Sequence, residues 1–207
     1  MRRLLKNILV RMPDNWRMWA GFIRGYLFPL RQSASQYGED LIIEAALETL
    51  FGISPKTVRG TYVDVGAFHP RFSSNTWRLA RYGWNGVVVD FPAAKINGFR
   101  IRRNCIPVAA AIGEADGGEL TVYRQPTLLS AIDSASREHL ASYPGVSEIF
   151  EDCVPVRSLE ALLTELKITQ VDVLSIDIEG LDITALRGLG PFRPKVIVIE
   201  DASPFPE

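Results

Sequence analysis

No apolar run in this 207-residue chain approaches the ~18–20 residues that a membrane span requires. The only cysteines are Cys105 and Cys153, far apart and in no C-x-x-C pair. That excludes a disulfide scaffold and reads as two reduced thiols of a cytosolic protein. The histidines are equally sparse, His69 and His139, and widely separated from the cysteines, so the expectation is no metal site. Net charge is −1, which provides no whole-protein field to attract nucleic acid, and no nucleic-acid partner is expected. Repeats and low-complexity tracts are missing. What remains is an ordinary globular composition, 47% apolar and 23% charged, in a length that suits one domain or one domain with an arm.

Charge is nevertheless uneven. Residues 1–31 carry Arg2, Arg3, Lys6, Arg11, Arg17, Arg24 and Arg31 against Asp14 alone, a net of +6 that leaves −7 for the remainder. Leu4, Leu5, Ile8 and Leu9 sit at helical spacing among these cations, and Trp16, Trp19, Phe22, Tyr26 and Phe28 follow, with Pro29 closing the arm. The apolar stretch is short and no small-residue cleavage site comes after it, which argues against a secretory signal. Two readings stand for this basic aromatic arm: a docking helix packed on the domain, or a segment lying on an anionic membrane surface. The expected location is cytoplasmic, with membrane-peripheral contact as the second reading.

From residue 32 onward, strand and helix signals alternate. Leu41–Leu47 has helical periodicity, Pro55 and Gly60 punctuate, and a strand is predicted at 61–66. A helix over Trp77–Tyr82 ends at Gly83, and a strand follows at 86–91. Ile106–Ile112 is a third apolar run, and Gly117-Gly118 turns into the alternating segment Leu120–Tyr123. Residues 124–151 are polar and turn-rich, and within them Gln125–Phe150 is a candidate acceptor-binding lid or an ordinary surface loop. Val154-Pro155-Val156, a helix-like Ser158–Leu166, and strands at Val171–Asp177 and Lys195–Glu200 complete the pattern. Continuous apolar strands separated by helices mean an α/β fold with a mostly parallel sheet covered on both faces.

The most informative stretch is Tyr62-Val63-Asp64-Val65-Gly66-Ala67-Phe68-His69-Pro70, a buried strand entering a tight glycine turn. A second strand, Gly86-Val87-Val88-Val89-Asp90, ends in an acid 24 positions after Gly66. In nucleotide-binding α/β units the first turn lets backbone approach the ligand, and an acid roughly 20 residues on accepts the ribose hydroxyls. The pyrophosphate cradle G-x-G-x-x-G is absent. An adenosyl ligand without phosphates does not need it, which points to S-adenosylmethionine rather than a dinucleotide. Asp64 lies within the first strand, while Asp90, Asp177 and Glu200 close the second, fourth and fifth. Right-handed crossovers place these acids along one rim, and four carboxylates there fit a ligand crevice better than four isolated caps.

Taken together, Ser35-Gln36-Tyr37-Gly38-Glu39-Asp40, Tyr62–Pro70, Ser74-Asn75-Thr76, Tyr82-Gly83-Trp84-Asn85-Gly86 and Leu174–Asp182 resemble the FkbM family of S-adenosylmethionine-dependent methyltransferases. The resemblance runs from about Ser35 to Asp201. It implies a class I methyltransferase (Rossmann-like) fold over 32–207, S-adenosylmethionine as methyl donor, and O-methylation of a hydroxyl on a sugar, glycan or natural product. By the same resemblance, Asp64, Gly66 and Ala67 form the cofactor turn, Asp90 takes the ribose, and Gln36, Ser74 and Asn75 border the cofactor pocket. Asp177 and Glu179 are placed at the catalytic rim, Glu179 toward the substrate. The sequence departs from the family in carrying Asp90-Phe91-Pro92 where Glu-Pro is common. It also ends six residues after Asp201, which predicts a sheet truncated to five strands or a fragment.

Methyl transfer from a sulfonium is an in-line displacement that needs alignment, and a sugar hydroxyl needs a general base. Asp177 is the first candidate base and His69 the second. Asp177 can alternatively be a structural acid accepting the N–H groups of Gly180 and Leu181, and His69 a solvated turn residue before Pro70. Asp182 reads as a first-turn helix charge and His139 as a surface residue. Two other functions remain open: a domain that binds S-adenosylmethionine or a partner without turnover, and an NAD(P)-dependent oxidoreductase, against which the missing glycine fingerprint argues.

Overall fold

The computed structural model describes residues 33–91, 96, 98–99, 103–126, 131–134, 136–142, 149–178 and 180–200. The basic arm at 1–31, Pro92 and Glu179 lie outside the described residues. Among the described residues no helix is long and apolar enough to cross a membrane.

The elements keep to the alternation in the sequence. They are α1 Glu39–Phe51, β1 Thr61–Val65, α2 Trp77–Arg81, β2 Asn85–Asp90, β3 Cys105–Ala109, β4 Ala111–Gly113 and β5 Glu119–Pro126. Next come β6 Ala131–Ser134, α3 Arg137–Ser142, β7 Phe150–Ser158, α4 Leu159–Glu165, β8 Val173–Ile176, α5 Asp182–Arg187 and β9 Val196–Ile199. Local chemistry sets several boundaries. Glu39 and Asp40 place negative charge in the first turn of α1, and Gly52 ends that helix in the left-handed region with its N–H on Leu47 O. Ser158 caps α4 by accepting the Ala161 N–H at 3.2 Å.

Five strands form one all-parallel sheet in the order β3-β2-β1-β8-β9. Strand alternation divides its side chains between two cores. Val63, Val65, Val87, Val89, Leu174 and Ile176 pack under α4 and α5. Tyr62, Val88 and Val173 face the other way, against Ile43 and Leu47 of α1, Leu79 of α2 and the buried Trp84. Fully burying side chains of this size contributes about 1.5–3 kcal/mol each, so the sheet is anchored from both sides. The mostly parallel sheet with helices on both faces is the predicted class.

A second sheet, in the order β4-β7-β5-β6, is not legible in the apolar pattern. Ile106–Ile112 reads as one run, but the chain breaks at Ala110: β3 pairs with β2, whereas β4 pairs with β7. The polar stretch after Tyr123 is more ordered than its composition predicts. Antiparallel pairing of Tyr123 with Ser134 builds β6, and the register of Thr121 on Cys153 builds most of β7. Polar residues pair as well as apolar ones when the ladder supplies the hydrogen bonds, and composition carries no trace of which strand lies opposite.

Strand order fixes where a ligand can sit. The chain moves outward from β1 through β2 to β3, then returns to the other side of β1 for β8 and β9. The topological switch point therefore lies between the carboxyl ends of β1 and β8, where open α/β sheets hold their ligands.

Candidate active site

At the switch point, β1 runs into Gly66 and β8 runs into Asp177. Gly66 donates its N–H to Val89 O at 2.9 Å and Asp177 donates to Val65 O at 3.0 Å, so each continues its ladder by one residue. Gly66 has φ +79°, and a Cβ built there would meet the Asp177 carbonyl oxygen at 1.8 Å. Only glycine satisfies both the left-handed backbone and that approach. The third position of the rim is Asp90 at the end of β2. It is nearly buried, and its Oδ1 accepts the Phe91 N–H at 2.5 Å. Glu200 follows β9 and donates its N–H to Ile176 O at 3.2 Å.

Asp64 sits one layer below, on the α1/α2 face of β1. Its Oδ2 accepts the Thr76 hydroxyl and lies 3.5 Å from the Arg103 guanidinium. Burial pushes its carboxyl upward, and Arg103 and Thr76 pull the other way. Arg103 is itself enclosed. Its guanidinium donates to Pro70 O at 2.7 Å, Thr76 Oγ1 at 2.9 Å and Ser74 Oγ at 2.5 Å, and it stacks 5.1 Å from the Phe99 ring. One buried cation thus ties β1 to the middle and the far end of the loop that follows it. Asn75, in the same loop, donates to Ser175 Oγ on β8 at 3.1 Å. Ser74 donates its N–H to Ala34 O at 3.2 Å, and Asp40 in turn receives the hydroxyls of Ser33 and Ser35.

The residues singled out from sequence fall into three groups. Gly66, Asp90 and Asp177 come together on the rim. Asp64, Ser74 and Asn75 form the scaffold beneath it, with Ala67 buried against the α1/α2 core and its N–H 3.5 Å from Val89 O. Gln36 is exposed on the loop tied to Ser74, its amide donating to the Tyr37 hydroxyl at 2.9 Å. His69 accepts the N–H groups of Arg71 and Phe72 on Nδ1, both at 3.0 Å, within the turn after β1. Glu179 lies outside the described residues.

The loop after β8 separates the roles of its acids. Asp182 is buried in the first turn of α5, where its carboxylate accepts the N–H groups of Ile178 at 3.3 Å and Gly180 at 3.2 Å. It is a loop-organising acid rather than a simple helix charge, and it takes the Gly180 N–H otherwise expected to bind Asp177. Asp177 stays exposed at the crevice. Partial desolvation, and then the charge of the neighbouring Glu200 carboxyl, push Asp177 up to about 7. Of these causes the like charge is the sturdier, because an exposed residue remains partly hydrated.

Two residues escaped the sequence reading of roles. Glu200 was visible as an acid closing a strand, but its pairing with Asp177 depends on the β8–β9 register. Arg103 gave no signal: one of three arginines in Arg100-Ile101-Arg102-Arg103, it looks like any surface cation. The rim is rich in carboxylate acceptors. It suits ligand hydroxyls and a sulfonium or ammonium cation and is ill-suited to a pyrophosphate, a donor set that fits S-adenosylmethionine. A concavity of about 440 Å³ lined by Ile168, Gln170, Phe192 and Arg193 lies at the opposite end of β8 and touches none of these acids. Among the described residues no group of three potential ligands could hold a metal ion.

Residues 64–207, from the rim strand β1 onward, match the methyltransferase FkbM domain family. No curated protein and no solved structure matches the chain.

Proposed function

The chain belongs to the FkbM family of methyltransferases, and from that premise we propose that it moves a methyl group from S-adenosylmethionine to a hydroxyl of a sugar, glycan or natural product. The observation that carries this reading is the position of Asp177 at the switch point, its carbonyl against Gly66, where partial burial and the nearby Glu200 charge push its carboxyl up to about 7. When bound, S-adenosylmethionine supplies a methyl group on a cationic sulfur, which attack by the acceptor oxygen releases.

The chain's own residues do the rest. The Gly66 turn lets the rim backbone close on the adenosyl group, and Asp90 accepts the ribose hydroxyls. Arg103, Ser74 and Asn75 hold the bordering loop against β8. Asp177 takes the proton of the acceptor hydroxyl, a task that favours a base whose affinity for protons lies close to the working pH. The acidic rim also favours a cationic ligand over an anionic one.

Calorimetric titration with S-adenosylmethionine, with NADPH as control, tests the reading. Binding of S-adenosylmethionine alone is expected, and Asp90→Ala weakens it by roughly 1–3 kcal/mol through lost ribose hydrogen bonds. A folded chain that binds neither ligand would end the proposal, and unchanged affinity in Asp90→Ala would remove that residue from the site.

A further inference from the structure

We propose that Glu200 is a positioning residue for Asp177, the two carboxyl groups forming one proton-sharing pair that receives the proton of the acceptor hydroxyl. This rests on the methyltransferase reading of the rim and adds a residue to it.

The pairing is a consequence of strand register. Ile176 lies beside Ile199 at the last pair of β8 and β9, so Asp177 and Glu200 are the next residue of each strand. The Glu200 N–H on Ile176 O and the Asp177 N–H on Val65 O hold both backbones in place where the strands leave the sheet. Neighbouring strands lie about 4.8 Å apart, within reach of two short acidic side chains. Residues in register on parallel strands project to the same face of the sheet, so the two carboxyl groups leave the strand ends side by side. Two carboxylates have only acceptors to offer, so a bond between them requires a shared proton.

Among the described residues, the charged groups acting on Asp177 are Glu200 after β9, Asp182 in α5 and Asp64 in β1, all acidic. Asp182 is turned toward the N–H groups of Ile178 and Gly180, and Asp64 toward Thr76 and Arg103. Glu200 is the acid whose carboxyl engages Asp177. At rest the pair holds one proton and one negative charge. The acceptor's O–H bond breaks with its electron pair staying on the acceptor oxygen, and a new O–H bond forms on the ionised carboxylate. The pair is then neutral and passes one proton to water.

The test is a carbon-13 NMR titration of the side-chain carboxyl carbons in the full chain without ligand, from about pH 4 to pH 9. The wild-type chain is expected to show a step near 7 that Asp177→Asn abolishes. Glu200→Gln keeps a hydrogen-bonding group but removes the like charge, and it lowers the midpoint by about one unit or more. Glu200→Ala, which removes both, does the same; Glu200 is exposed, so both variants are expected to fold. A role confined to holding the strand end would leave the midpoint in place. The proposal is overturned by a wild-type step at the ordinary aspartate position, or by a midpoint that both variants leave unchanged. Calorimetry separates the two readings. Binding of S-adenosylmethionine without the step removes the pair and keeps the methyltransferase site. A movable step in a chain that does not bind the ligand overturns the catalytic role.

Discussion

Strand β8 has an aspartate at each end, and their surroundings differ in sign. Asp172, just before the strand, is almost buried at the foot of the sheet. It accepts the Thr61 N–H at 2.9 Å and the Gln170 amide at 2.7 Å, and it pairs with the Lys195 ammonium. Burial alone would raise its proton affinity, but Lys195 and these donors outweigh it and hold the carboxyl below the usual aspartate range. Among the described residues no such set of donors surrounds Asp177, just past the strand. It faces the Glu200 carboxyl and is raised to about 7. The same residue type five positions away does opposite work: a satisfied carboxylate stabilises the sheet, and one crowded by like charge stays ready to take a proton. Foot and rim can be told apart by which groups are placed opposite each acid.

The sharpest way to break the rim is through its backbone. Gly66→Ala would force a left-handed alanine into the Asp177 carbonyl, and it should cost at least about 3 kcal/mol or prevent folding. Urea denaturation followed by circular dichroism measures this, and a loss below about 1 kcal/mol would contradict the close approach.

The foot comes next. Asp172→Ala leaves Lys195 and the Thr61 N–H without their acceptor and should cost about 2–3 kcal/mol near neutral pH. Because the folded carboxyl binds protons more weakly than the unfolded one, its contribution is present above about pH 4 and fades as the pH falls through its lower folded value. Wild type and variant should therefore converge in acid. A gap that persists at pH 2 would show that shape, not charge, makes the contribution.

The smallest effect has the opposite sign. Asp177 binds protons more strongly folded than unfolded, so its contribution is complete below about pH 4 and is lost as the pH rises through 7. Asp177→Asn should match wild type at pH 4 and exceed it at pH 8, by a margin that water at this exposed side chain screens. The same variant should bind S-adenosylmethionine and lose turnover. Melting curves at the two pH values decide the first point: a variant less stable at pH 8 would mean that Asp177 is held by donors, as Asp172 is.

The parallel sheet was legible because its strands are buried on both faces and read as unbroken apolar runs, as in Gly86–Asp90 and Val171–Asp177. The second sheet was hidden: Arg124, Asp152 and Glu151 carry strand positions in a polar segment, and their partners are set by pairing across the chain. The site divides in the same way. Gly66, Asp90 and Asp177 stand at strand ends where an acid or a glycine is conspicuous. Arg103 acts through contacts with Asp64 in β1 and with Pro70, Ser74 and Thr76 in the loop after it, all distant from it in sequence, and Glu200 acts through a register that only the folded sheet establishes.

The sequence by itself determined the fold class, the glycine turn and the row of acids, because burial periodicity and strand ends are local properties of the chain. The tertiary structure alone decided which acid meets which partner. Asp64 meets Arg103, Asp172 meets Lys195, Asp182 meets the backbone of its own loop, and Asp177 meets Glu200. An acid's proton affinity is set by the charge and donors within a few ångströms of it, and in a parallel sheet those neighbours come from strands far apart along the chain.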